Sequence, residues 1–154
     1  MKNKNKKVEN ILKYIHYGHS EFDMTKFNKI KNIPEFAKAD GGLWASRVDA
    51  EYSWKDWCES SGFDADFSTH FEFRLNEDAR ILVIDKSEKL KELPKAKSIF
   101  EHPTFILLDF EELSKQYDAI EVLITKDGQL YWDLYGWDCD SIFIMNPDVI
   151  IQEK

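Results

Sequence analysis

Cysteine, glycine and proline are scarce in this chain, and none of them forms a recognisable motif. The only cysteines, Cys58 and Cys139, show neither a CxxC motif nor a Cys/His spacing suited to zinc. The six glycines and four prolines are scattered, so linkers, repeats and low-complexity tracts are not indicated. Apolar runs are too short to span a membrane, and the lysine-rich start is not followed by a signal-type apolar segment. We therefore expect a cytoplasmic protein with reduced thiols, no metal and no membrane partner.

Motifs that would identify the common nucleotide and hydrolase folds are also missing. The sequence contains no GxSxG, no phosphate-binding Gly-Lys loop and no GxGxxG. Serine hydrolase, P-loop and Rossmann interpretations therefore receive no support.

The size and charge of the chain suggest one acidic domain. The 154 residues, 43% of them hydrophobic, are enough for one core, which we expect over residues 8–154. Residues 1–7 hold four lysines and are expected to form a basic, flexible N-terminus. The net charge is −8 despite those lysines, which disfavours broad, non-specific binding to nucleic acid.

Short apolar segments separated by turn residues predict an α+β fold. Expected strands cover residues 11–17, 43–46, 71–75, 80–84, 104–108, 119–124, 129–132 and 141–145. Asp127-Gly128 predicts a hairpin between the sixth and seventh of these strands. Expected helices begin at Asp23, Ser53, Ser87 and Asp109. Ser53 and Asp56 form a potential capping box, and Trp54, Trp57 and Cys58 share one helix side that we expect in the core.

Glu121 is the most unusual residue of the expected strands. Its side chain lies on the same strand face as Ala119 and Leu123, among apolar neighbours. One interpretation is a solvated glutamate on an exposed sheet face. The other is a functional acid in a cleft.

Four segments in this order bear on that choice. They are His16-Tyr17-Gly18, Gly42-Leu43-Trp44-Ala45-Ser46, Tyr117-Asp118-Ala119-Ile120-Glu121-Val122, and Trp137-Asp138-Cys139-Asp140-Ser141-Ile142 followed by Asn146-Pro147-Asp148. The combination resembles the toxin-like ADP-ribosyltransferases. The resemblance implies a split, mixed or antiparallel β-sheet with short flanking helices, and NAD bound as co-substrate in the cleft between the halves of the sheet.

The resemblance also implies roles for individual residues. His16 would contact a ribose hydroxyl of NAD, and the backbone of Tyr17 and Gly18 would bind the nicotinamide amide. Glu121 would be the catalytic carboxylate. Independently of the family, cleavage of the nicotinamide–ribose bond builds positive charge on a sugar carbon, which a fixed carboxylate stabilises.

The remaining candidate residues would shape the nicotinamide pocket. Trp44 and Ser46 would line it, and either Tyr52 or Trp54 would provide a stacking ring. The sequence leaves the choice between these two rings open.

The acceptor of ADP-ribose is less defined. Arginine-modifying members of the family carry Glu or Gln where this chain has Ala119. The related RNA 2′-phosphotransferases need several basic residues for phosphates, and the only arginines of this chain are Arg47, Arg74 and Arg80. Another protein side chain or a nucleic-acid base remains, and the acidic body favours protein. By analogy the chain would be a toxin or an effector in phage–host conflict, opposed by a neutralising partner protein.

Two other functions stay open. The chain could be a catalytically inactive binding or regulatory module of the same fold. Alternatively, His16 and His19 could form a metal-dependent hydrolase site, if the strand breaks at Gly18. Asp133, Asp138 and Asp140 are explained better as turn-forming acids than as cation ligands.

Overall fold

The computed structural model describes residues 11–101 and 103–153, so the expected basic segment 1–7 lies outside the described residues. Seven strands form one sheet: β1 (Tyr14–Tyr17), β2 (Leu43–Arg47), β3 (His70–Leu75), β4 (Ile81–Ile84), β5 (Ala119–Val122), β6 (Ser141–Ile144) and β7 (Ile150–Ile151). Three short α-helices are α1 (Trp54–Ser61), α2 (Phe110–Leu113) and α3 (Gln129–Asp133). None of the helices described has the length and apolarity needed to cross a bilayer.

The sheet is mixed and confirms the predicted α+β class. Its strand order is β4-β5-β6-β2-β1-β3-β7. The β4–β5 pair is parallel, and every other neighbouring pair in this order is antiparallel. Residues 85–118 connect the parallel pair, because a parallel crossover cannot be made by a tight turn.

The two faces of the sheet bury different clusters. Because side chains alternate along a strand, Ile120, Val122 and Phe143 point to one side, where they pack against α2 and α3. We call this side the helix face. Ala45 and Ile142 point to the other side, which we call the open face, and pack there in a second cluster with residues of β1 and β3.

The prediction for α1 is confirmed at its start. The Ser53 hydroxyl accepts the Asp56 N–H, and the Asp56 carboxylate accepts the Ser53 N–H, which is a complete capping box. Gly62 ends the helix in the left-handed region at φ 70°. The expected core stripe is only partly correct, because Cys58 is buried whereas Trp54 and Trp57 are half-buried.

The predicted hairpin at Asp127-Gly128 is wrong, and residues 129–133 form α3 instead of a strand. Gly128 has φ −60° and ψ −22°, which are helical values and not those of a hairpin turn. The Asp127 carboxylate accepts the N–H groups of Gln129 and of the distant Ser87. This long-range contact, invisible in the sequence, favours the start of a helix.

Other boundaries also differ from the predictions. The helix expected from Asp23 is a single 3-10 turn, Met24–Lys26, and the one expected from Ser87 is 3-10 as well. Residues 104–108 contribute only one isolated bridge, Lys95 to Leu108, and no strand. The strand β7 was not predicted, because two residues after a proline turn carry no periodicity.

Candidate functional site

A site is present where β1 and β2 separate. Their pairing ends at Ile15 and Ser46, although both strands continue. The Val48 N–H donates to the Lys13 carbonyl, so by antiparallel alternation the backbone polar groups of residues 13, 15 and 17 point towards β2. The ladder ends before Tyr17, whose N–H and C=O therefore face the opening.

The His16 imidazole holds the two strands apart. Its Nδ1 lies 2.7 Å from the Trp44 carbonyl oxygen, the group that Tyr17 would otherwise bond. A carbonyl can only accept, so Nδ1 carries the hydrogen and Nε2 is an acceptor in the neutral ring. Nε2 lies 2.9 Å from His19 Nδ1, which donates to it. Burial lowers the pKa of His16, as does the nearby His19, while the bond to Trp44 opposes this, so the neutral ring is favoured.

The opening leads into a cavity of about 230 Å³, which we call the β1–β2 cavity. Its walls combine aromatic rings, hydroxyls, one carboxylate, one thiol and one ammonium group. The lining side chains come from Ile15, His16, Tyr17, Lys38, Trp44, Ala45, Ser46, Trp54, Asp138, Cys139 and Ser141. Apolar walls with a few convergent polar groups are typical of small-molecule sites.

Three of the candidate residues, Trp44, Ser46 and Trp54, line this cavity. Trp44 packs on Phe143 with ring centroids 4.6 Å apart, which fixes the orientation of its indole. Ser46 is buried, and its hydroxyl donates to the Asp140 carbonyl and accepts from the Trp54 N–H, so it joins β2 to both neighbouring segments. Trp54 itself forms part of the wall.

Of the two rings that were expected to stack on nicotinamide, Trp54 lines the cavity and Tyr52 does not. The Tyr52 hydroxyl hydrogen-bonds the Ser60 hydroxyl within the α1 region. Its carbonyl accepts the Asp140 N–H at 2.8 Å. Tyr52 therefore stabilises the cavity wall indirectly, through its backbone bond to Asp140.

Tyr17 and Gly18, whose backbone groups were expected to bind the nicotinamide amide, have different surroundings. Gly18 has φ 110° and ends β1, but its N–H donates to the Thr69 carbonyl and is not free for a ligand. Tyr17, in contrast, lines the cavity. Among the two predicted amide-binding residues, Tyr17 is the one that presents both a donor and an acceptor.

Glu121, which was expected to face the same cavity as His16, is not among the residues that line the β1–β2 cavity. Glu121 pairs with Ile142 of β6, so its side chain points to the open face. The β1–β2 cavity takes its lining from both faces, with Trp44 and Ser141 on the helix face and Ala45 and His16 on the open face, and Glu121 is not part of it. Three strand spacings of about 4.8 Å also separate β5 from β1.

The Glu121 carboxylate already has a partner. It is only 2% exposed and forms a bidentate pair with Arg47, at 2.8 Å from Nε and 2.5 Å from Nη2. The hydrogen bonds to Glu121 raise the pKa of Arg47. Tyr14 lies beside the pair, and burial together with the Glu121 charge raises the pKa of its phenol to about 12. The arrangement is a buried, neutralised ion pair.

The acid that does line the cavity is Asp138, which the sequence interpretation assigned to a turn. Its position is set by Asp140, whose buried carboxylate accepts the N–H and the hydroxyl of Thr125 at 3.0 and 2.8 Å. The signal available in the sequence was the Asp138-Cys139-Asp140-Ser141 run directly before a strand. Asp140 is bonded to Thr125, and Asp138, two positions earlier, borders the cavity.

The contacts of His16 and His19 do not favour the metal-hydrolase interpretation. His16 and His19 bond each other, and their rings stack at 5.2 Å. Among residues 11–101 and 103–153, no group of three or more His, Cys, Asp or Glu side chains is placed to hold a metal ion. Both histidines instead border a second cavity of about 190 Å³, which shares His16 and Trp44 with the first.

Comparison with protein-family models, with curated proteins and with solved structures finds no match for this chain. The function is therefore argued from the cavity and its residues.

Proposed function

We propose that the β1–β2 cavity binds the nicotinamide end of NAD and that the protein transfers ADP-ribose to a macromolecular acceptor. The observation that carries the proposal is the separation of β1 from β2 by the His16 ring, which opens an aromatic cavity beside an unpaired strand backbone. The motif resemblance of the sequence points to the same co-substrate.

The cavity fits a planar aromatic amide. A carboxamide has one donor and one acceptor side by side, and an extended residue such as Tyr17 presents the complementary pair. The Trp54 indole at the wall offers a stacking surface for the pyridine ring. A volume of about 230 Å³ is below the roughly 300–1,000 Å³ typical of drug-sized ligands, so the rest of NAD would extend outward. The second cavity, beyond His16, provides that space.

Asp138 is our candidate for the carboxylate that faces the ribose. Loss of nicotinamide leaves an oxocarbenium-like sugar, and a fixed negative charge beside it stabilises that transition state more than the ground state. Asp138 meets this requirement because it borders the same cavity as His16 and Tyr17. Glu121, paired with Arg47, would instead stabilise the sheet behind the site.

A second candidate function is favoured by one observation. The glutamate that the family resemblance assigned to catalysis is neutralised by a bidentate arginine. If Asp138 does not replace it, the chain is a binding or regulatory module that holds its ligand without turnover.

The decisive experiment measures nicotinamide release from NAD by three variants. Asp138→Asn is expected to lower kcat about 10²- to 10³-fold, as for loss of one transition-state electrostatic contact. The matched control Asp148→Asn removes an exposed carboxylate outside the cavity and should match wild type. If folded Glu121→Gln is inactive while Asp138→Asn retains activity, the catalytic acid is Glu121 and our assignment is wrong.

A labelling experiment identifies the class of macromolecule that accepts ADP-ribose. Wild type and Asp138→Asn are incubated with NAD labelled in the adenylate half and with separated protein and nucleic-acid fractions of a lysate. We expect label in the protein fraction with wild type only. NAD binding without nicotinamide release by wild type would identify the binding module instead.

A further inference from the structure

Next to the β1–β2 cavity lies a group of five aromatic side chains, which we call the aromatic platform. Trp54 and Trp57 stack with centroids 5.1 Å apart, and Phe63 packs against both. Tyr17 contacts Phe67 edge-on at 5.0 Å. Since Tyr17 and Trp54 also line the cavity, the platform continues directly from its wall.

The platform is not fully covered by the chain. Phe63 is 52% exposed, and the other four rings are half-buried. Aromatic side chains that remain accessible in a cluster are typical of recognition sites, because they give a large contact area at low entropic cost.

The charges around the platform are mostly negative. Residues 49–72 carry seven carboxylates and one lysine. Asp64 and Asp66 are exposed, and the Glu59 side chain is 62% exposed. Besides burial, the charges of Asp56, Glu59 and Glu72 raise the pKa of the Tyr17 phenol, which places these carboxylates near the platform.

The one lysine of this stretch indicates which ligand the rings accept. The Lys55 ammonium lies 5.9 Å from the centroid of Phe67, within the range of a cation–π contact. The platform thus already holds one cation on a ring face, and the surrounding carboxylates favour further cations.

We propose that the aromatic platform and its carboxylate rim dock a lysine- or arginine-rich segment of a protein acceptor, which places the modified side chain at the mouth of the β1–β2 cavity. This inference rests on the proposed transfer activity, because the docked segment would receive ADP-ribose at the cavity. Nucleic acid is the poorer occupant because its phosphates would face the same carboxylates.

Binding is tested without NAD, by fluorescence anisotropy on the full chain. The probes are a fluorescein-labelled peptide of alternating lysine and glycine, a glutamate–glycine peptide of equal length and a single-stranded DNA oligomer. We expect the lysine peptide alone to bind, with an affinity that falls as salt rises.

Two sets of variants locate the contact. Phe63→Ser and the triple change Glu59→Gln, Asp64→Asn, Asp66→Asn should each weaken peptide binding about three- to tenfold. The matched controls are Phe36→Ser, at a ring 63% exposed outside the platform, and Glu77→Gln with Asp78→Asn, in the β3–β4 turn. Equal binding by all of these proteins, or tighter binding of DNA than of the lysine peptide, overturns the proposal.

Failure of this proposal is distinguishable from failure of the proposed activity. Nicotinamide release by wild type together with platform variants that bind the peptide normally refutes the docking surface alone. Peptide binding that depends on the platform, in a protein that never cleaves NAD, supports the surface and refutes the enzyme.

Discussion

At the scale of single residues, Glu121 and Asp138 show how surroundings decide what a carboxylate can do. Glu121 is buried against a guanidinium that donates to both of its oxygens and balances its charge. Asp138 borders a cavity. Cys139, beside it, has a thiol whose pKa burial raises to about 11, so it stays protonated and is a poor nucleophile.

The Arg47–Glu121 pair gives a stability prediction. Arg47→Met leaves the Glu121 charge buried without a partner and should cost about 3 kcal/mol in the free energy of unfolding. The double variant Arg47→Met, Glu121→Leu removes both charges and should recover most of that loss. Urea unfolding of the three proteins measures both effects. A double variant as unstable as Arg47→Met would mean that packing, and not the unpaired charge, dominates.

The sequence could not reveal this pair, because its members are 74 positions apart. It did identify Glu121 as a carboxylate among apolar neighbours, but alternation along β5 could not show that this carboxylate bonds Arg47 and lies outside the β1–β2 cavity. Asp138 was missed for the converse reason, since an acid in a loop before a strand is usually a turn residue.

At the scale of elements, the starts of α1 and α3 contrast a boundary set by local contacts with one that depends on a distant contact. The start of α1 is set within four residues by Ser53 and Asp56, and it was predicted correctly. The start of α3 depends on Asp127 accepting the Ser87 N–H, from 40 positions away, and it was predicted as a strand. The α+β class was nevertheless recovered, because strands β1 to β6 each contain their own apolar segment.

Removal of the α1 cap tests the local argument. Ser53→Ala loses the hydroxyl that accepts the Asp56 N–H, and we expect a loss of about 1 kcal/mol in unfolding free energy. Ser114→Ala, which removes an exposed hydroxyl bonded to the Glu111 carbonyl, serves as the control and should change stability by less than about 0.5 kcal/mol. Equal losses in the two variants would contradict a specific role for the cap.

At the scale of the whole molecule, the stability of the fold depends on pH through two ionisable residues, Asp118 and His16, in different parts of the structure. The Asp118 carboxylate connects the start of β4 to the end of β6 through Arg80 and Asn146. Burial by itself would raise the pKa of Asp118, but the bonds from Arg80 and Asn146 outweigh it and hold the pKa below its usual range. His16, in β1, also has a lowered pKa, mainly because of burial.

Both shifts predict that acid destabilises the fold, in separate pH ranges. His16 favours its neutral form in the folded state, so its contribution is complete above its ordinary pKa of about 6.5 and is lost as the pH falls further. Asp118 contributes above about pH 3.9 and loses its contribution below. Unfolding free energies between pH 8 and 3 should show this, and His16→Gln should flatten the slope between pH 6.5 and 5. An unchanged slope in that variant would show that His16 is not responsible.

The opening beside β1 depends on one imidazole that occupies the Trp44 carbonyl. With valine at position 16, that carbonyl is free for the Tyr17 N–H, and the antiparallel ladder can continue by two more residues. We expect the Tyr17 amide to exchange its hydrogen more slowly in such a variant, and the free energy of unfolding to rise. Under the proposed function the variant would no longer bind NAD, so the opening is a cost in stability that selection for NAD binding would have to maintain.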